Sequence, residues 1–188
     1  MMNSDIFKKI KGQLGKLPKN WIVMLETLTK NSLDLGLESV KILTDQGLDA
    51  LIVSASRPCN KLLELYEEKK IDTKKVFIIC TVCKSQGIDV KDTKSIRHVR
   101  SYDSLMEILI SLEKIKSELK KEEGFLFIDS ISSLLIHNDS RKLSQFIHRI
   151  LVTIRINNIN GILISLNEEI NKEVRAEIAQ LCDKVISV

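Results

Sequence analysis

Short apolar runs recur along this chain, with longer amphipathic stretches between them. The runs are Trp21–Leu25, Leu51–Val53, Val76–Ile79, Phe125–Ile128, Gly161–Ile164 and the closing Val185–Val188, with Ile96–Val99 as a further short strand. A strand that faces water on one side alternates apolar and polar residues, whereas one buried on both faces does not. Most of these runs do not alternate, so they need cover on both sides. Between them, apolar residues fall three and four apart, the helical spacing. Leu33, Leu37, Val40 and Leu43 share one face of a helix expected over 31–46. Leu105, Ile108, Leu112, Ile115 and Leu119 do so in a second, and Leu143, Ile147, Ile150 and Ile154 in a helix opened by Ser140. Val174, Ile178 and Leu181 mark a last one over 171–181. Strands alternating with helices in this way specify an α/β fold, three layers deep, with a mainly parallel central sheet.

Local signals agree with that plan. Asn31 is placed to cap the first of these helices, with Asp34 in its first turn and Gly47 just past its end. Pro58 suits the opening of the next helix, and Ser101 is expected to cap the one after it. Residues 1–20 read as an appended polar helix and a turn at Leu17-Pro18-Lys19-Asn20, so the domain proper is expected over 21–188.

Composition narrows the function classes. The chain has 188 residues with 29 basic and 25 acidic side chains, a formal charge of +4 spread through a mixed-sign sequence. Nucleic-acid modules concentrate such charge in a stripe, and aromatic residues are only 4%, so base-stacking platforms are scarce; neither fact invites nucleic-acid binding and neither forbids it. No apolar run approaches the ~18 residues that cross a bilayer, and the basic N-terminus lacks the apolar core of a secretory signal. A cytoplasmic protein without membrane contact is expected. No nucleophile elbow is visible, and no acidic pair of a phospho-receiver site follows the first strand.

In a covered parallel sheet, ligands bind at the carboxyl ends of the strands. The polar residues there are Glu26-Thr27, Ser54-Ala55-Ser56-Arg57, Asp129-Ser130 and Asn167-Glu168-Glu169. Phe125-Leu126-Phe127-Ile128-Asp129 has the form of a Walker B strand, whose carboxylate holds the water shell of a nucleotide-bound magnesium. The plainer alternative is that Asp129 satisfies local amides or caps the turn Ile131–Leu134. A Walker A loop, GxxxxGK[ST], should then follow the first strand, its glycines letting backbone amides approach phosphates. That place holds Glu26-Thr27-Leu28-Thr29-Lys30-Asn31-Ser32. It has a lysine and a serine but no glycine, and Glu26 adds negative charge beside any phosphate. Gly15-Lys16 is no substitute, because Leu17 follows and the strand comes later.

The order of elements and the segment from Gly124 onward resemble the RecA-type ATPase core, closest to its archaeal and bacterial KaiC-like branch. In that branch a strand ending in Asp-Ser leads into a helix, a strand ends near a Glu, and the last strand reads Asp-x-Val-Ile. Asp129-Ser130 corresponds to the first of these and Asp183-Lys184-Val185-Ile186 to the last. In the family the cofactor is magnesium-ATP; only if a nucleotide binds here would Lys30, Ser32, Asp129 and Ser130 be the cofactor-binding residues, with Asp129 on the metal. Two departures from the family pattern point the other way. The Walker A loop is missing, and Ser54-Ala55-Ser56-Arg57 replaces the acidic pair whose glutamate orients the attacking water. The expectation is therefore a degenerate, non-catalytic RecA/KaiC-like module with no cofactor and no catalytic residue. It would act through a protein partner or self-association. The alternative is an ATPase with an atypical phosphate loop at Lys30 and Ser32.

Two features remain. Cys80-Thr81-Val82-Cys83 is a CxxC, but a zinc site needs two more ligands, and Cys59, Cys182, His98, His137 and His148 are scattered in sequence. Cys80 is read instead as a small buried apolar residue. Arg141, Gln145, His148 and Arg149 lie on the outer side of the helix opened by Ser140 and are read as its solvated face.

Overall fold

A computed structural model describes residues 10–14, 20–118, 124–167 and 172–188. Seven strands form one sheet: β1 (Ile22–Thr27), β2 (Asp49–Ser54), β3 (Val76–Cys80), β4 (Ile96–His98), β5 (Gly124–Asp129), β6 (Asn160–Leu166) and β7 (Lys184–Ser187). Their spatial order is β4-β3-β2-β5-β6-β1-β7. Every pairing is parallel. The helices are α1 (Thr29–Asp45), α2 (Cys59–Glu68), α3 (Leu105–Glu118), α4 (Ile131–Ile136), α5 (Ser140–Ile156) and α6 (Lys172–Gln180).

The apolar runs have the two-sided role their composition demands. Val23, Leu25, Ile52, Ile78, Phe125 and Ile164 face the side covered by α1 and α2, through Leu35, Val40, Leu62 and Tyr66. Their strand neighbours Met24, Leu51, Val53, Leu126, Ile128 and Leu163 face α3 to α6, through Ile108, Ile147, Ile150 and Ile178. Side-chain direction flips at each strand residue, so one run of apolar residues supplies both layers of core. Residues 10–14 are helical, and Ile10 and Leu14 are buried in the first of these cores beside Trp21. The expected turn at Leu17–Lys19, together with Gly15, Lys16, Leu119, Glu168 and Glu169, lies outside the described residues.

Two caps differ from expectation. α1 starts at Thr29, not at 31, because the chain passes from β1 to the helix through Leu28 alone. Leu28 holds the cap position without a side-chain hydrogen bond, and no acidic residue sits in the first turn. The Asn31 amide instead bonds the Leu28 carbonyl at 2.9 Å. Ser101 lies four residues before α3 and bonds Asp103 and Ser104 rather than a helix amide. Gly47 ends α1 in the left-handed region, φ +100°, where a Cβ would be strained. The residues Ile131–Leu134, read from sequence as a turn, begin the six-residue helix α4. Among the described residues no helix is long and apolar enough to cross a membrane.

Candidate functional site

Because every strand is parallel, all carboxyl ends lie on one edge of the sheet. Register aligns them further. His98 pairs with Cys80, Cys80 with Ser54, and Ser54 with Asp129, forming one row across β4, β3, β2 and β5. Farther along, Glu26 of β1 pairs with Ser187 of β7 and Ser165 of β6.

Asp129 ends β5 and is buried, 8% exposed. Its peptide bond to Ser130 is cis. The loop after β2 passes directly over it, since the Ala55 amide donates to the Asp129 carbonyl at 2.8 Å. That loop is held tight by Ser54 Oγ donating to the Arg57 carbonyl at 2.7 Å. Asp129 Oδ2 then accepts from Ser56 Oγ at 2.9 Å and from Arg57 Nη1 at 3.2 Å. Burial pushes the Asp129 carboxyl above the usual aspartate range; the Arg57 charge and the two hydrogen bonds act against this without overcoming it. Ser130 is the N-cap of α4, its Oγ accepting from the Ser133 amide at 3.1 Å. The cap of this turn is thus Ser130 and not Asp129.

Glu26 is likewise buried, 3% exposed, at the end of β1. It is bonded by Arg175 of α6 and accepts from Ser187 Oγ at 2.9 Å. The hydrogen bond from Arg175 holds its carboxyl below the usual glutamate range, against the opposing effect of burial. Lys30 lies in the first turn of α1 and is exposed. Ser32 Oγ donates to the Thr29 carbonyl at 2.9 Å. The edge therefore brings Asp129 and Ser130 together with Ser56 and Arg57. Lys30 and Ser32 lie at the start of α1, which follows β1, and β6 lies between β1 and β5, so two strand spacings of about 4.8 Å separate those strands.

No family model matches the chain, and no curated protein sequence does. Solved structures do match. The flagellar accessory protein FlaH of Methanocaldococcus jannaschii aligns with all of this chain and 77% of its own, at 13% identity and a TM-score of 0.64. A KaiC-like protein of Pyrococcus horikoshii aligns over 93% of this chain and 73% of its own, at 16% identity and a TM-score of 0.60. The fold is RecA-like. A further P. horikoshii protein, uncharacterised and crystallised with an unknown peptide, reaches a TM-score of 0.71 at 13% identity, over 96% of this chain and 82% of its own.

On this RecA-like frame two arginines are the residues that sequence reasoning passed over. Arg57 was visible only as the residue standing where an acidic pair was expected. Its pairing with Asp129 follows from the Ser54–Asp129 register, which single-residue patterns do not encode. Arg175 reaches Glu26 from an element 149 positions away.

Proposed function

We propose that the chain is a non-hydrolysing RecA/KaiC-like module that works as a regulatory or scaffolding unit through protein contacts. The observation that carries this reading is the turn after β1. A Walker A loop spends eight residues wrapping phosphates, and here β1 reaches α1 through Leu28 alone. The residues present do not fit a magnesium nucleotide. No cradle of glycine amides stands at that turn, and Oδ2 of the carboxylate that would hold the metal's water shell is bonded by both Arg57 and Ser56. A cation from the same chain thus stands where the resemblance calls for a water-positioning glutamate.

Support for protein contacts comes from the outer face. Met106 and Ile110, one helical turn apart on α3, are 56% and 48% exposed. Met106 borders a groove between α3 and α5 that also takes in Gln145 and Arg149. One P. horikoshii neighbour was crystallised with an unknown peptide, which supports a reading through protein contacts. The test is calorimetric titration with magnesium-ATP, followed by hydrolysis assays on wild type and Asp129→Ala. No heat at millimolar nucleotide is the expected result. Micromolar binding with turnover lost in Asp129→Ala would overturn the reading in favour of an ATPase built on Lys30, Ser32 and Asp129. Light scattering of wild type and of Met106→Asp/Ile110→Asp then reports whether that face mediates self-association.

A further inference from the structure

Four side chains that are scattered in sequence meet beneath the same sheet edge. Cys59 opens α2, Cys80 ends β3, Cys83 follows in the next turn, and His98 ends β4. All four are buried, and their ligand atoms lie within 4.8 Å of one another. We propose that Cys59, Cys80, Cys83 and His98 form a Cys3His site for one tetrahedral zinc ion.

The distances have the scale of such a site. Zinc–sulfur bonds of about 2.3 Å and zinc–nitrogen bonds of about 2.0 Å place neighbouring ligand atoms of a tetrahedron roughly 3.5–3.8 Å apart. Here Cys59 Sγ stands 3.7 Å from Cys83 Sγ and 3.4 Å from His98 Nε2, and Cys80 Sγ stands 3.3 Å from Cys83 Sγ. These sulfurs are far outside the ~2.05 Å of a disulfide, and all the cysteines are free. An ordinary core cysteine packs its sulfur against aliphatic carbon; these turn three sulfurs and an imidazole toward one point.

The surroundings are those of a metal centre. His98 Nδ1 is 3.1 Å from Asp92 Oδ1, which also accepts from the His98 amide at 2.9 Å. A carboxylate on one ring nitrogen directs the other toward a metal and raises its basicity. Three thiolates and an imidazole exclude magnesium and calcium, which take oxygen, and favour zinc. Four protein ligands and full burial leave no open position, so the ion would be structural. It would tie the three-residue edge strand β4 and the segment 81–95 to the start of α2.

The test uses the full chain, purified under reducing conditions without a metal-affinity step. Elemental analysis should find one zinc per chain. Exchange with cobalt should give the intense visible bands of tetrahedral coordination and a thiolate-to-cobalt charge-transfer band. Cys59→Ser and His98→Ala should lose the ion, while Cys182→Ser keeps it. Asp92→Asn, a conservative change at a half-exposed residue that leaves all four ligands in place, should weaken binding about 10- to 100-fold. A folded, reduced wild type that holds no zinc and gives no tetrahedral cobalt spectrum would overturn the proposal. So would loss of the metal in Cys182→Ser, or undiminished affinity in Asp92→Asn.

Discussion

Replacing Arg57 with Ala removes the cation that faces the buried Asp129. At 3.2 Å and an effective dielectric of about 20, the Coulomb attraction is about 5 kcal/mol. That figure is an upper bound on the loss. The Arg57 side chain is 27% exposed, so water shares its charge, and Ser56 still donates to the carboxylate. Breaking a fully buried pair costs about 3–5 kcal/mol and an exposed one under about 1. A pair between these limits should cost about 2 kcal/mol at neutral pH. The pH dependence separates charge from packing. Asp129 already titrates above its unfolded value because it is buried, and without Arg57 its folded pKa rises further. The deficit of the variant is therefore full above the variant's raised pKa. It closes as pH falls through the wild-type Asp129 pKa, where both proteins carry a neutral carboxyl. Urea denaturation of both proteins from about pH 7 down to about pH 3 reads this directly. A loss of the same size at every pH, or none at neutral pH, would refute the reasoning. In a cycle with Asp129→Asn, the double variant should lose about 1–2 kcal/mol less than the two single losses added together.

Glu26→Gln should destabilise by about 1 kcal/mol at neutral pH, a figure discounted because Arg175 is 42% exposed. Since the folded Glu26 pKa is lowered, its contribution is present above the unfolded value of about 4.3 and fades as pH falls through the folded one. The denaturation midpoints of wild type and Glu26→Gln, separate at neutral pH, should therefore converge at acid pH. Asp183→Ala should cost about 1–2 kcal/mol, because Asp183 Oδ2 accepts the Ile22 amide at 2.7 Å and Oδ1 faces Arg155 at 3.1 Å; Asp183→Asn should recover part of it. A Cβ on Gly161 would stand 2.7 Å from the Ile154 Cδ1 atom, so Gly161→Ala should cost about 1–2 kcal/mol by overpacking. Adding Ile154→Val, which deletes that methyl group, should make the double variant lose less than the sum of the two changes, as read by thermal unfolding.

The strands were legible because two-sided burial leaves a direct trace: Phe125–Ile128 has no polar residue to turn toward water. The alternation of these strands with covering helices was legible for the same reason, while the RecA-like likeness rested on the resemblance of the segment from Gly124 onward. Helix starts were less so. Asn31 is a good capping residue, yet β1 runs to Thr27 and leaves no room for a cap beyond Leu28. The helix α4 is only six residues long and begins Ile-Ser-Ser, which suits a turn equally well. At the site, Asp129 was legible as a polar residue closing an apolar run. Its pairing with Arg57 was not, because that depends on which strand lies beside β5. The cysteines show the same limit: Cys80 and Cys83 announce themselves as a CxxC, while Cys59 and His98 join them only because β3 lies between β2 and β4. A signal was nevertheless present. In a parallel sheet, residues at or just after strand ends share an edge, and Cys59, Cys80 and His98 all occupy such positions.

A carboxylate buried at the end of a parallel strand must be neutralised by something, because an unpaired buried charge is strongly disfavoured. In a nucleotide site a metal ion and its water do this, and they leave with the product. Here Asp129 and Glu26 are answered by Arg57 and Arg175, which cannot leave. Arg57 is also two residues from Cys59, so the zinc ion proposed above would anchor the loop that delivers it. The one-residue turn at Leu28, the two internal ion pairs and that anchor all act on one edge of the sheet, and each removes freedom from it. Many enzymes open and close such an edge around substrate. Under the function proposed above, an edge held by these four features would instead keep a constant shape for a docking partner.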